Sequence, residues 1–195
     1  MSATRTLTLA DVALPRPNVL QQTLLVVAAS LVTAAAAQLE IRLPFTPVPV
    51  TGQTFAVLLS GAVLGARRAF LAQALYLLEG AAGLPFFAGG AGGALVFVGP
   101  TGGYLAAFPL AAAVTGFLCE RGWDRRFIAM LPAMLIGSLV IFASGLAWLA
   151  RFVAPDALLA TGLLPFLPGD LIKSSLASLA FPAVWRLIGR AAPRR

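Results

Sequence analysis

The sequence predicts an all-α integral membrane protein, a single domain of six transmembrane helices with the N- and C-termini both on the cytoplasmic side. Three observations carry that prediction. Of 195 residues, 59% are apolar and 11% are charged, with a mean hydropathy of +0.92; soluble domains run at about 25% charged residues. The apolar residues fall in long runs, several of them of spanning length, as helices in lipid require. The arginines stand in small clusters between those runs. The net charge of +7 therefore writes a membrane topology rather than a phosphate track, and no nucleic-acid partner is expected.

Residues 1–18, with Arg5, Asp11, Arg16 and two prolines, read as a cytoplasmic tail or a short surface helix. The membrane domain covers 19–190. Its first span, 19–39, is about 30 Å long at ~1.5 Å per residue and matches the hydrocarbon core. Three prolines in LPFTPVP at 43–49 force a non-helical connection. Spans two and three are expected at 50–65 and 69–80, with Arg67 and Arg68 between them; both are short and require tilt or burial. Residues 81–100 form an uncharged, glycine-rich connection. Spans four and five follow at 101–119 and 127–150, separated by the charged turn 120–126. Beyond Arg151 the apolar run is too short to cross and fits a re-entrant or interfacial turn. The sixth span occupies 170–189, leaving 191–195 as a cytoplasmic tail.

Charge sets the orientation. With the N-terminus inside, eleven basic residues lie in cytoplasmic segments, and three, Arg42, Arg151 and Lys173, lie at the other side. Reading the first span as a cleaved leader, on the alanines at 34–37, would leave an odd number of spans and break this alternation.

Four motifs are candidates for function. In PGDLIKSS (168–175), Asp170 is suited to cap a helix start, and Lys173 shares its face one turn on. Ionisable groups within a span are costly unless paired or hydrated and face the bundle interior; the alternative is a capping acid with a snorkelling lysine. The glycine run followed by GPTGGY (99–104) lacks the Lys-Ser/Thr of a phosphate loop. It reads as a mobile lid or as tight helix packing, with Phe86, Phe87, Phe97 and Tyr104 available as apolar walls. In TGQTF (51–55), Gln53 can donate and accept at once, which suits a urea or amide ligand or else satisfies a loose helix end. On the first span Ala29, Thr33 and Ala37 stand four apart, a spacing that lets helices approach closely. Glu79 is given no role. With no histidine and one cysteine, Cys119, neither an enzyme nor a metal or other cofactor is expected.

Together TPVPVTGQTF, LEGAAGLPFFAGGAGG, GPTGGY and LPGDLIKSS, in this order and spacing over residues 20–190, resemble the biotin-specific substrate-binding components (BioY family) of energy-coupling-factor (ECF) vitamin importers. The resemblance implies a six-helix ECF S component of the bacterial cytoplasmic membrane, with biotin bound in a cavity open to the outside. Its partners would be a transmembrane coupling (T) protein and cytoplasmic ATPases, because the chain has no nucleotide motif of its own. Asp170 and Lys173 would line the biotin site, in a pocket expected to take in Gln53, Tyr104, Phe86, Phe87 and Gly93 as well. Ala29, Thr33 and Ala37 would meet the coupling protein. The alternative is a stand-alone secondary transporter for another small carboxylate, which internal inverted repeats would favour; none is evident.

Overall fold

Eight of the twelve residues of helix α3 (Gln53–Leu64) are buried, which makes this short helix the centre of the bundle rather than a lipid-facing span. The computed structural model describes residues 6–191; Arg5, Arg194, Arg195 and all but the first residue of the expected C-terminal tail lie outside the described residues. The other helices are α1 (Leu9–Ala13), α2 (Val19–Ala37), α4 (Ala66–Ala81), α5 (Gly102–Ala106), α6 (Phe108–Cys119), α7 (Phe127–Leu149), α8 (Leu158–Gly162) and α9 (Leu167–Ala191). Among the described residues, four stretches are long and apolar enough to cross a membrane: Val19–Ala37, Gly102–Cys119, Phe127–Leu149 and Leu167–Ile188. At ~1.5 Å per residue, α3 and α4 reach only about 18 and 24 Å.

Several expected boundaries shift for physical reasons. The second span does not begin at Val50. Val50–Thr51 (β2) pairs antiparallel with Glu40–Ile41 (β1), in the register Glu40–Thr51 and Ile41–Val50, and the proline-rich loop closes this small hairpin. Arg67 and Arg68 do not separate two helices; they sit in the first turn of α4, because Gly65 at φ 81 turns the chain in a single residue. The fourth span is jointed at Ala107, where Pro109 lacks the N–H that would bond back to Leu105. Asp170 does not cap the last helix, which already begins at Leu167. The glycine-rich connection holds two short 3-10 turns, at Ala88–Gly90 and Ala94–Val98.

Helix α3 packs against α6 and α2, α4 lies between α2 and α6, and α7 joins α5, α6 and α9. Small residues permit these approaches. A Cβ on Gly116 of α6 would lie 2.5 Å from the backbone nitrogen of Ala66. Polar side chains tie helices together inside the bundle: Gln73 Nε2 donates to Thr33 Oγ1 at 3.1 Å and to Ser60 Oγ at 3.0 Å, joining α4 to α2 and α3.

At the basic end of the bundle the N-terminal segment forms a strap. Thr6 N–H donates to the carbonyl of Glu120 at 2.7 Å, and an Arg125 guanidinium nitrogen donates to the carbonyl of Leu7 at 2.8 Å. Thr8 and Asp11 make a capping box around α1, and Asp11 is paired with Arg68. Burial pushes the Asp11 carboxyl upward, but the hydrogen bonds from Thr8 and Arg68 outweigh it and hold the group below its ordinary value. Asp124 is wholly buried and accepts from Trp185 Nε1, while Arg125 lies over the Trp185 ring. Burial raises the Asp124 carboxyl despite those two partners.

Candidate functional site

The hairpin end encloses a cavity of about 420 Å³, within the about 300–1,000 Å³ typical of small-molecule sites. Three groups of elements build it. The first turns of α9 supply Asp170 and Lys173; β2 and the start of α3 supply Thr51 and Gln53; Phe87, Tyr104, Phe108, Phe142 and Phe166 form much of the apolar wall.

Asp170 and Lys173 share a face of α9, but each takes a partner on another element. Ser138 Oγ on α7 donates to Asp170 Oδ1 at 2.8 Å. Lys173 Nζ donates to the carbonyl of Thr51 on β2 at 2.8 Å. Two ammonium hydrogens of Lys173 remain for an anion, and the second carboxylate oxygen of Asp170 remains for a donor. Gln53 is 6% exposed; its Oε1 accepts from Thr51 Oγ1 at 3.2 Å and its Nε2 donates to Tyr76 Oη at 2.6 Å.

The aromatic wall is fixed by its own polar tips and ring contacts. Tyr104 donates to the carbonyl of Gly162 at 2.8 Å and packs on Phe166, ring centroids 6.4 Å apart. Phe87 is buried and stands edge-on to both Tyr76 and Phe97, at 5.6 Å each. The covering loops are pinned at several points. Thr46 Oγ1 donates to the Thr161 carbonyl at 2.7 Å, and Gln38 Nε2 reaches the Phe87 carbonyl at 3.3 Å. Trp148 Nε1 donates to the Gly99 carbonyl at 2.9 Å. At the rim, Arg42 Nε pairs with Glu40 Oε1 at 2.9 Å; the Arg42 side chain is 71% exposed.

The structure thus brings Asp170, Lys173, Gln53, Tyr104 and Phe87 to one cavity. Phe86 and Gly93 do not line it. Phe86 turns its carbonyl to the Tyr76 hydroxyl, and Gly93 spends its N–H on the Gly80 carbonyl in a turn that its φ of 94 requires. The expected partner-facing stripe on the first span is also different. Thr33 and Ala37 are wholly buried and Ala29 half-buried, so this stripe packs inside the chain, and the exposed flank of α2 carries Leu24, Ala28, Leu31 and Ala35 instead. Sequence reading missed Ser138, Thr51 and the Glu40–Arg42 pair. Ser138 had a signal, a polar residue in the middle of a long apolar span; the backbone carbonyl of Thr51 had none.

Residues 5–190 match the model of the BioY family. Among similar proteins, the biotin transporter BioY of Rhizobium etli is 38% identical over 164 residues, 80% of this chain and 88% of that one. The biotin transporter BioY of Thermotoga maritima is 44% identical over 141 residues, covering 71% and 82% of the two chains. Among solved structures, the S-component for biotin from an ECF-type ABC transporter superposes with a TM-score of 0.74 at 25% identity, over 86% of this chain and 92% of that chain. The chain belongs to the BioY family.

Proposed function

We propose that this protein captures biotin with high affinity at the outer face of the bacterial cytoplasmic membrane and is the substrate-specific subunit of an ATP-driven ECF importer. The observation that carries the reading is the convergence of a lysine amine, a carboxylate and an amide on one apolar-walled cavity. Biotin is chemically matched to such a cavity. Its carboxylate suits Lys173, its ureido N–H groups suit Asp170, its ureido oxygen suits the Gln53 amide, and its ring and four methylenes suit the aromatic wall, at about 0.8 kcal/mol per buried methylene. The names of the relatives, biotin transporter BioY and S-component for biotin, support the same ligand.

In this reading six helical segments cross the bilayer with both ends inside, α3 and α4 crossing within the bundle. The basic strap then faces the cytoplasm and the cavity faces outward. The coupling protein and ATPases supply the work, and the coupling protein meets the exposed flank of α2 around Ala28 and Ala35. The glycine-rich segment, with Phe86 and Gly93, covers the cavity.

Labelled-biotin binding to the purified protein in detergent, beside Lys173→Ala, tests the ligand. Removing one partner of a buried charge contact costs about 3–5 kcal/mol, so affinity is expected to fall on the order of 100- to 1,000-fold or more. Unchanged binding in the variant moves the pocket; a folded wild type that ignores biotin but binds another carboxylate favours the stand-alone carrier.

A further inference from the structure

Where the N-terminal strap crosses two of the spans it leaves an open cleft of about 400 Å³ at the basic end of the bundle. Leu7, Asp11 and Pro17 come from the strap, Gln22 from the first turn of α2, and Arg67 and Arg68 from the first turn of α4. Most of the polar groups there are engaged. Asp11 gives one carboxylate oxygen to Arg68 and the other to Thr8. Gln22 Nε2 donates to the Pro17 carbonyl at 3.2 Å, which leaves it one N–H. Arg67 is the exception. It is exposed and, among the described residues, makes no hydrogen bond or ion pair, so its charge and its N–H donors are uncommitted. Two arginines against one carboxylate leave the cleft with a surplus positive charge.

The surroundings indicate what would fill it. A guanidinium fork with free N–H groups matches the oxygens of a phosphate. Phe70 and Leu71, three and four residues after Arg67, share its face of α4 one turn further into the bundle, and both are exposed. Val19 and Leu20, at the start of α2, are exposed as well. On helices that cross a bilayer this order sets phosphate-binding donors at headgroup depth and apolar side chains just inside, against the acyl region. A soluble phosphate has no use for the apolar track.

We propose that this cleft binds the phosphate headgroup of an anionic phospholipid, with Arg67 as its main cation and the acyl chains running along Phe70 and Leu71. The lipid joins the strap to α2 and α4. No residue lines both this cleft and the biotin cavity, and the proposal does not depend on the biotin reading.

Native mass spectrometry of the purified protein in non-ionic detergent, titrated with phosphatidylglycerol or phosphatidylcholine, tests it. Wild type should hold one phosphatidylglycerol in preference to phosphatidylcholine, and Arg67→Gln should weaken that binding about tenfold or more. Arg126→Gln, an exposed arginine outside the cleft, should leave it unchanged. Equal losses in the two variants would mean a diffuse charge effect and overturn the site, as would undiminished binding in Arg67→Gln. Displacement of the lipid by excess inorganic phosphate alone would make this a soluble-anion site and overturn the lipid assignment. Should Arg67→Gln fold poorly, Gln22→Leu, which removes the remaining donor on α2, decides between the same outcomes. Hydrogen exchange across α1 gives a second reading: phosphatidylglycerol should slow it in wild type and not in Arg67→Gln.

Discussion

Asp170 and Lys173 stand three residues apart, yet their hydrogen-bond partners lie 32 and 122 residues away along the chain. The pair was legible because an acid and a base inside an apolar span demand a reason. Their partners were not, since no local pattern marks a serine on another helix or a carbonyl on a strand. Ser138→Ala should therefore weaken biotin binding about tenfold to a hundredfold, the cost of one hydrogen bond to a charged group. Equilibrium binding in detergent checks it, and an unchanged affinity would show that Asp170 holds its position without Ser138. Thr33 illustrates the opposite failure. Its spacing suggested a surface, but small residues serve internal and external helix contacts equally well, and Gln73 takes the Thr33 hydroxyl inside the bundle.

Among the elements, long apolar spans were legible within a few residues, because length and hydropathy alone define them. The two-residue strands of the hairpin were not, as so short a segment carries no periodicity, and only the prolines flagged the region. The joint between α5 and α6 could have been read from Pro109, whose missing N–H interrupts the ladder. The tight meeting of α6 with the start of α4 yields a test. Gly116→Val would push against the Gly65–Ala66 backbone, so it should destabilise the fold by about 1–3 kcal/mol, read as a lowered thermal midpoint in detergent. Leu110→Ala on the same helix, at a position 56% exposed, serves as control and should shift the midpoint far less.

For the molecule as a whole, the charge asymmetry predicts orientation. In a Cys119→Ser background, a cysteine at Arg42 should react with an impermeant maleimide added outside intact cells. One at Arg126 should react only after permeabilisation; the reverse pattern would invert the proposed topology. The strap at the basic end adds a pH dependence. Because the folded Asp11 carboxyl titrates below its ordinary value, its contribution to stability is complete above the unfolded value of about 3.9 and is lost as pH falls through the lower folded value. Hydrogen exchange of α1 should rise below about pH 4. In Asp11→Asn it should already be raised at neutral pH and respond less to acid.

Helix α7 separates two of the three tryptophans by nearly its whole length, about 35 Å for 23 residues. Trp148 holds the glycine-rich segment through Gly99, with Arg151 over its ring, while Trp185 sits between Asp124 and Arg125 at the far end. The protein thus carries a native lamp near each membrane face, and their surroundings differ in charge and packing. Silencing Trp123 and Trp185 with phenylalanine leaves a single emitter bonded to the glycine-rich segment. Its colour and brightness then become a label-free clock for how fast the proposed cover responds when biotin is added.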